Sequence, residues 1–201
     1  MTTALDNGAP AAPADPFRDR LLDGLAICLV ERGYRDTTVA DIVRHARTSK
    51  RTFYEQFASK EECLIELMRR NNDDLIAGIV AAVDPEADWQ DQIRQAVTAY
   101  VDHITARPEI TLTWIREAPA LGDAAHPLHR AAMERLTDML VGLSENPGFR
   151  RAELGPVSRP LALIILGGLR ELTALLMEDD RDLHELVEPA ITAATAILSV
   201  S

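Results

Sequence analysis

Between positions 41 and 60 the chain reads DIVRHARTSKRTFYEQFASK, and few folds can accommodate that stretch. Apolar residues recur at helical spacing on both sides of Arg47-Thr48, so two short helices must meet there at a sharp turn. Val39, Ile42, Val43 and Ala46 form the stripe of the first, and Phe53 and Phe57 that of the second. Once the two phenylalanines face inward, Lys50, Arg51, Tyr54 and Glu55 must face outward. Ser49, Lys50, Arg51 and Thr52 then occupy the N-terminal end of the second helix, where free backbone N–H groups favour a phosphate. That geometry suits a helix laid in the major groove of DNA.

The flanks carry their own punctuation. Thr38-x-x-Asp41 reads as a capping box for the first short helix, and Ser59-x-x-Glu62 as a better one for a long helix that follows. Upstream, Asp15-Pro16 supplies an N-cap and a first-turn proline for a helix over residues 16–32, with Phe17, Leu21, Leu25 and Leu29 inward and Gly33 as its stop. Residues 16–62 thus form a three-helix head, preceded by an arm at 1–15 rich in Ala and Pro that is expected to be disordered. The head has too little core to stand alone, so the fourth helix, ending near Asp84-Pro85, is expected to close it and join it to the body.

A net charge of −11 argues against a DNA partner until the charge is located. Residues 17–60 hold nine Lys or Arg against six Asp or Glu; the rest of the chain holds twelve against twenty-six. A basic face on an acidic protein can bind phosphates while the acidic remainder limits nonspecific attachment.

Residues 63–201 read as a helical body. Amphipathic helices are expected over 88–107, 109–118, 125–143, 158–176 and 183–198, with a Pro- and Gly-containing loop at 146–156. The expected fold is all-α, about nine helices without a convincing strand. Cys28 and Cys63 lack metal-ligand spacing and read as small buried hydrophobes. His126-x-x-His129 and His184 read as surface histidines, because no further ligand completes a metal site. No Gly-rich phosphate loop, nucleophile elbow or HExxH motif occurs, so no catalytic residue, metal or cofactor is expected. The N-terminus has no basic residue ahead of an apolar run, and the longest apolar stretch, 161–169, is too short to span a bilayer. A cytoplasmic protein with no membrane partner is expected.

The residues Thr38-Val39-Ala40-Asp41-Ile42-Val43, Ala46-Arg47-Thr48-Ser49-Lys50-Arg51-Thr52-Phe53-Tyr54-Glu55-Gln56-Phe57 and Ser59-Lys60-Glu61-Glu62 closely resemble the TetR (tetracycline-repressor-like) family of regulators. The resemblance runs from position 17 to about 67 and is only architectural beyond it. It implies a DNA-binding transcriptional regulator, most simply a repressor that binds a palindromic operator as a homodimer and responds to a small-molecule effector. By position, Thr38 and Lys60 would contact phosphate, as would Tyr54. Ser49, Lys50, Arg51 and Thr52 would lie at the groove, with Arg51 able to take a guanine bidentately. Two departures stand out: Arg47 replaces the usual turn glycine and Arg51 a frequent glycine, so the operator cannot be borrowed from relatives.

The resemblance also implies that the last two helices dimerise, which places Leu161, Ile165, Gly168, Leu172, Leu176, Ile191 and Ala194 at the interface; a tightly packed intrachain core is the alternative. Between head and dimer helices, Tyr100, His103, Trp114, Met133 and Met139 are candidates to line an effector cavity suited to an apolar molecule. The rival readings are a helical enzyme or metal-binding protein with an incidental basic head, and a regulator that needs no effector.

Overall fold

The computed structural model describes residues 16–117 and 126–199; the 1–15 arm, Gly122-Asp123 and the first residue of the helix expected at 125 lie outside them. Ten α-helices occur among the described residues: α1 (Pro16–Arg32), α2 (Val39–His45), α3 (Lys50–Gln56), α4 (Lys60–Ala82), α5 (Trp89–Ala106), α6 (Pro108–Leu112), α7 (His126–Leu143), α8 (Pro147–Arg151), α9 (Arg159–Glu178) and α10 (Val187–Leu198). A π-helical turn, Thr113–Glu117, extends α6, and a 3-10 turn, Leu183–Leu186, leads into α10. The loop expected at 146–156 therefore contains a short helix, because Pro147 sits in a first turn where its missing N–H costs nothing.

The head packs α1 against α2, α3 and α4 around Leu21, Leu25, Ile42, Phe53, Phe57 and Leu64. One sequence feature overlooked above sets the α1–α2 distance. A Cβ on Gly24 would lie 2.7 Å from the Ile42 carbonyl oxygen, so the two backbones meet there with no room for a side chain. Gly33, at φ +74°, ends α1 as expected. Arg18 ties α3 to α1, donating to the Gln56 carbonyl at 3.0 Å while its guanidinium lies 4.4 Å from the Phe57 ring centre.

Thr38 makes both halves of its capping box with Asp41. Ser59 makes only one: its hydroxyl accepts from the Glu62 N–H, but the Glu62 carboxylate accepts from Ala58 instead of the cap residue. The better box is therefore the first. Both cysteines are buried and free, and burial pushes the Cys63 thiol up to about 12.

In the body, α4 packs on α5 and α7, α5 on α10, and α7 on α9. Helix α9 is long and apolar enough by composition to cross a membrane, more so than residues 161–169 alone suggest, and it carries apolar residues on two sides. One side is core, through Ala162, Leu166, Thr173, Ala174 and Leu176. The other exposes Leu163, Ile164 and Leu175.

That division separates the seven residues expected at a dimer interface. Leu176, Ile191 and Ala194 are buried within the chain's own core, against α5 and the 3-10 turn. Leu161, Ile165 and Leu172 are half-buried, and only Gly168 of the seven is exposed. Periodicity could not choose between the faces because both are apolar. Gly167 and Gly168 have nothing within 4 Å of an added Cβ, so within the chain no neighbour packs against them.

Candidate DNA-reading face and effector cavity

The turn between α2 and α3 is held by a residue that dislikes it. Arg47 sits at φ +50°, the left-handed region where a Cβ costs about 1–2 kcal/mol. The following Ser49 caps α3, accepting from the Thr52 N–H at 3.1 Å and meeting the Thr52 hydroxyl at 3.0 Å. Phe53 is fully buried beneath, so the opposite face is presented outward.

On that face Lys50 is exposed and has no ion-pair partner among the described residues; the same holds for Arg47, which the sequence reading noted for its charge but did not place among the contacts. The Arg51 side chain is 89% exposed and pairs with Glu55 at 2.9 Å. An exposed i,i+4 pair of this kind is worth about 0.3–0.5 kcal/mol, so a guanine or phosphate can displace Glu55 at little cost. Tyr54 stands out beside it, its ring edge-on to Phe53.

The two expected phosphate contacts at the other helix starts are engaged within the chain. The Thr38 hydroxyl donates to Asp41 Oδ2 at 2.6 Å, which spends its one proton. That bond and the Thr38 backbone N–H hold the Asp41 carboxyl below its ordinary value. The Lys60 ammonium donates to the carbonyls of Tyr34 at 2.9 Å and Thr37 at 2.7 Å and lies 4.2 Å from the Tyr34 ring centre. The Thr38–Asp41 pairing follows the capping box legible in the sequence, whereas position alone could not reveal that of Lys60, whose partners lie in the folded α1–α2 connection.

Behind the head lies a cavity of about 150 Å³, lined by α4, α5, α6, the π-turn, α7, α9 and α10. Counted at about 10–15 Å³ per water-sized occupant, it holds ten or so, which places it at the lower end of small-molecule pockets. Tyr100, His103, Trp114, Met133 and Met139 all line it. The Tyr100 hydroxyl is 2.9 Å from Thr173 Oγ1, and burial drives its pKa up. His103 Nε2 is 3.3 Å from Asn71 Oδ1, and burial drives its pKa down, favouring the neutral ring.

The sequence reading missed Asn71, Asn72 and Arg170 in this lining. Arg170 had a legible signal, a lone cation within LALIILGGLRELTALL. His129, read as a surface histidine, is half-buried: its ring lies against Trp114, and Nε2 is 3.1 Å from the Arg170 guanidinium.

Head and cavity share a wall. Met68 and Ile110 belong to the head core and line the cavity, and Trp114 lines the cavity while packing against that same core.

A helical head with an outward basic helix, set on a helical body with an internal cavity, is the arrangement of a helix-turn-helix unit joined to a second helical module. Residues 21–67 match the family model described as bacterial regulatory proteins, tetR family. The HTH-type transcriptional activator FasR of Mycolicibacterium smegmatis is 33% identical over 92 residues, 46% of this chain and 42% of that protein. The HTH-type transcriptional repressor KstR2 of Mycobacterium tuberculosis is 42% identical over 78 residues, 39% of each. These matches span less than half the length of either relative. Over 90% of this chain and 97% of the other, the fold is that of the transcriptional regulator FadR from Bacillus subtilis, crystallised with stearoyl-CoA, at a TM-score of 0.74 and 17% identity. Over residues 21–67 the chain is thus similar to the tetR family of bacterial regulatory proteins, and beyond them the likeness is one of fold.

Proposed function

We propose that two copies of this chain bind a palindromic DNA operator and that an apolar small molecule in the cavity releases them, making the protein a cytoplasmic ligand-responsive repressor. The observation that carries this reading is the outward N-terminal end of α3, where Lys50 and Arg51 stand exposed over a head core with no other use for them. Arg51 reads a base, Lys50 and Tyr54 anchor phosphate, and Arg47 adds charge at the turn. Ser49 and Thr52 shape the helix end that approaches the groove. Thr38 and Lys60 reach phosphate only by exchanging bonds they already hold within the head.

The dimer forms through the exposed stripe Leu163, Ile164, Gly167, Gly168 and Leu175 of α9, with α10 beside it. The glycine pair leaves space for close approach of a partner helix. Two heads so placed must stand about 34–36 Å apart to enter successive major grooves, and a displacement of a few ångströms loses both half-sites. The shared wall of Met68, Ile110 and Trp114 supplies the coupling, since filling the cavity presses on residues that also pack the head. The effector need prefer the released state by only a few kcal/mol. Residues 16–62 then act as the DNA-binding unit and 63–201 as the effector and dimer unit. An apolar effector agrees with the stearoyl-CoA bound to the structurally similar FadR, and FasR and KstR2 illustrate that related heads serve activation and repression alike.

The test is a titration of the full chain against DNA from the region upstream of its own gene, followed by single substitutions. Arg51→Ala is expected to relax sequence preference, whereas Lys50→Ala weakens all DNA about equally and lowers the salt slope by about 1. The absence of any specific complex at moderate salt would overturn the reading.

A further inference from the structure

Arg170 is a cation in an apolar wall. It lines the cavity from α9, yet no carboxylate lies within ion-pair distance of it among the described residues. The nearest acid in sequence, Glu171, is engaged with Arg116 at 3.0 Å, as is Glu178. Among the described residues the guanidinium's hydrogen bond goes to His129 Nε2 at 3.1 Å. To accept it, that nitrogen must be bare, which puts the ring proton on Nδ1. Nδ1 is buried and has no partner among the described residues. Burial and the adjacent Arg170 both push His129 towards its neutral form. Among the described residues the Arg170 charge is thus met by a neutral imidazole and by no anion.

Two hydroxyls complete the corner. Thr173 lies one helical turn from Arg170 on the same face of α9, and it meets the Tyr100 phenol at 2.9 Å. The Arg170 charge opposes part of the rise that burial imposes on that phenol, so all three groups share one electrostatic neighbourhood. No other lining side chain carries a fixed charge. A half-buried guanidinium without a counter-charge is costly in a protein, and one set near a Tyr100 phenol that Thr173 supports from behind, with one of the two hydroxyl protons left spare, is matched to an incoming anion.

We infer that the molecule the cavity accepts ends in a carboxylate, which pairs with Arg170 beside the Tyr100 and Thr173 hydroxyls while its apolar remainder fills the rest of the cavity. This inference rests on the reading of the cavity as an effector site. A single fixed positive charge matches a monoanion; a phosphate dianion or a coenzyme A head would bring more negative charge than the wall balances.

Calorimetric titration of the full chain with dodecanoate, dodecanol, dodecyl phosphate and dodecanoyl-CoA separates the possibilities. Dodecanoate is expected to bind about tenfold or more tighter than dodecanol, the gain of a charge-assisted hydrogen bond, and Arg170→Met is expected to close that gap. Equal binding of dodecanoate and dodecanol by the unaltered protein would overturn the inference and leave the effector reading standing. So would tighter binding of the phosphate or the thioester, or a gap that survives in R170M. Should R170M lose dodecanol as well, the unaltered protein's dodecanoate-to-dodecanol ratio decides. Binding of none of the four removes both the inference and the apolar-effector reading.

Discussion

Replacing Gly24 with alanine sets two known contributions against each other. In a helix interior the change gains up to about 1 kcal/mol, because alanine restricts the unfolded chain and favours the helix. At Gly24, however, the new methyl would lie 2.7 Å from the Ile42 carbonyl oxygen and 3.1 Å from the Ala46 nitrogen, both backbone atoms of the α2 segment. Neither can swing aside as a side-chain tip would, so α1 and α2 must separate by about half an ångström in a core packed to crystal density. Overpacking of this kind costs about 1–3 kcal/mol, leaving a net loss of up to about 2 kcal/mol. For a chain of this size each kcal/mol lowers Tm by about 2–4 °C. Gly78 in α4 provides the internal control, since nothing lies within 4 Å of a Cβ added there. Gly78→Ala should raise Tm by a few degrees at about 1 kcal/mol. The assay is thermal unfolding of both variants, with hydrogen exchange on the α2 amides and DNA titration alongside. G24A should lower Tm, speed exchange in α2 and weaken DNA binding, because α2 and its turn aim α3. If G24A melts at or above the unaltered protein with unchanged exchange, the close approach of α1 and α2 does not set the head geometry.

Three further expectations concern the head. Arg47→Gly removes a left-handed conformation that costs about 1–2 kcal/mol but frees the unfolded chain, so stability should rise by up to about 1 kcal/mol or hold level. DNA affinity should fall at the same time, and a parallel loss of both in melting and salt-dependent titration would contradict the assignment of Arg47 to strain and phosphate attraction. Lys60→Ala leaves the Tyr34 and Thr37 carbonyls without their ammonium partner and should cost about 1–3 kcal/mol in denaturant unfolding, whereas Lys50→Ala should leave stability unchanged. Asp41, held below its ordinary value of 3.8 chiefly by the Thr38 hydroxyl, contributes stability that is complete above that value and is lost as pH falls through the lower folded one. Acid unfolding of Asp41→Asn should accordingly show a shallower limb below about pH 4, with little difference between the proteins' slopes above it.

The local devices of the head were legible in the one-dimensional chain. The Thr38 cap, the Ser49 cap, the Gly33 stop and the inward phenylalanines each follow from residue type and helical period, because caps and amphipathic stripes are written within a few residues. The strain at Arg47 was legible too, as a residue standing where a turn demands positive φ. The five cavity residues proposed from sequence all reach one cavity, since polar-tipped and adaptable side chains on inward stripes between the head and the apolar C-terminal helices have few other places to go.

What the sequence alone could not decide was which of two equivalent-looking faces meets which neighbour. On α9 both faces are apolar, so only packing against α7 and the 3-10 turn assigns Leu176 to the core and Ile164 to the surface. Lys60 looked like a free phosphate anchor until the fold brought two carbonyls from more than twenty positions upstream to its ammonium. Arg170 was visible as a lone cation in an apolar run, but its lack of a counter-charge depends on Glu171 and Glu178 turning to Arg116, an arrangement made across elements 55 and 62 positions apart. Short-range chemistry thus determined the helix-turn-helix unit, whereas the exposed face of α9, the engaged lysine and the arginine with no counter-charge among the described residues were decided by tertiary contacts, because charge balance and burial are properties of neighbours in space.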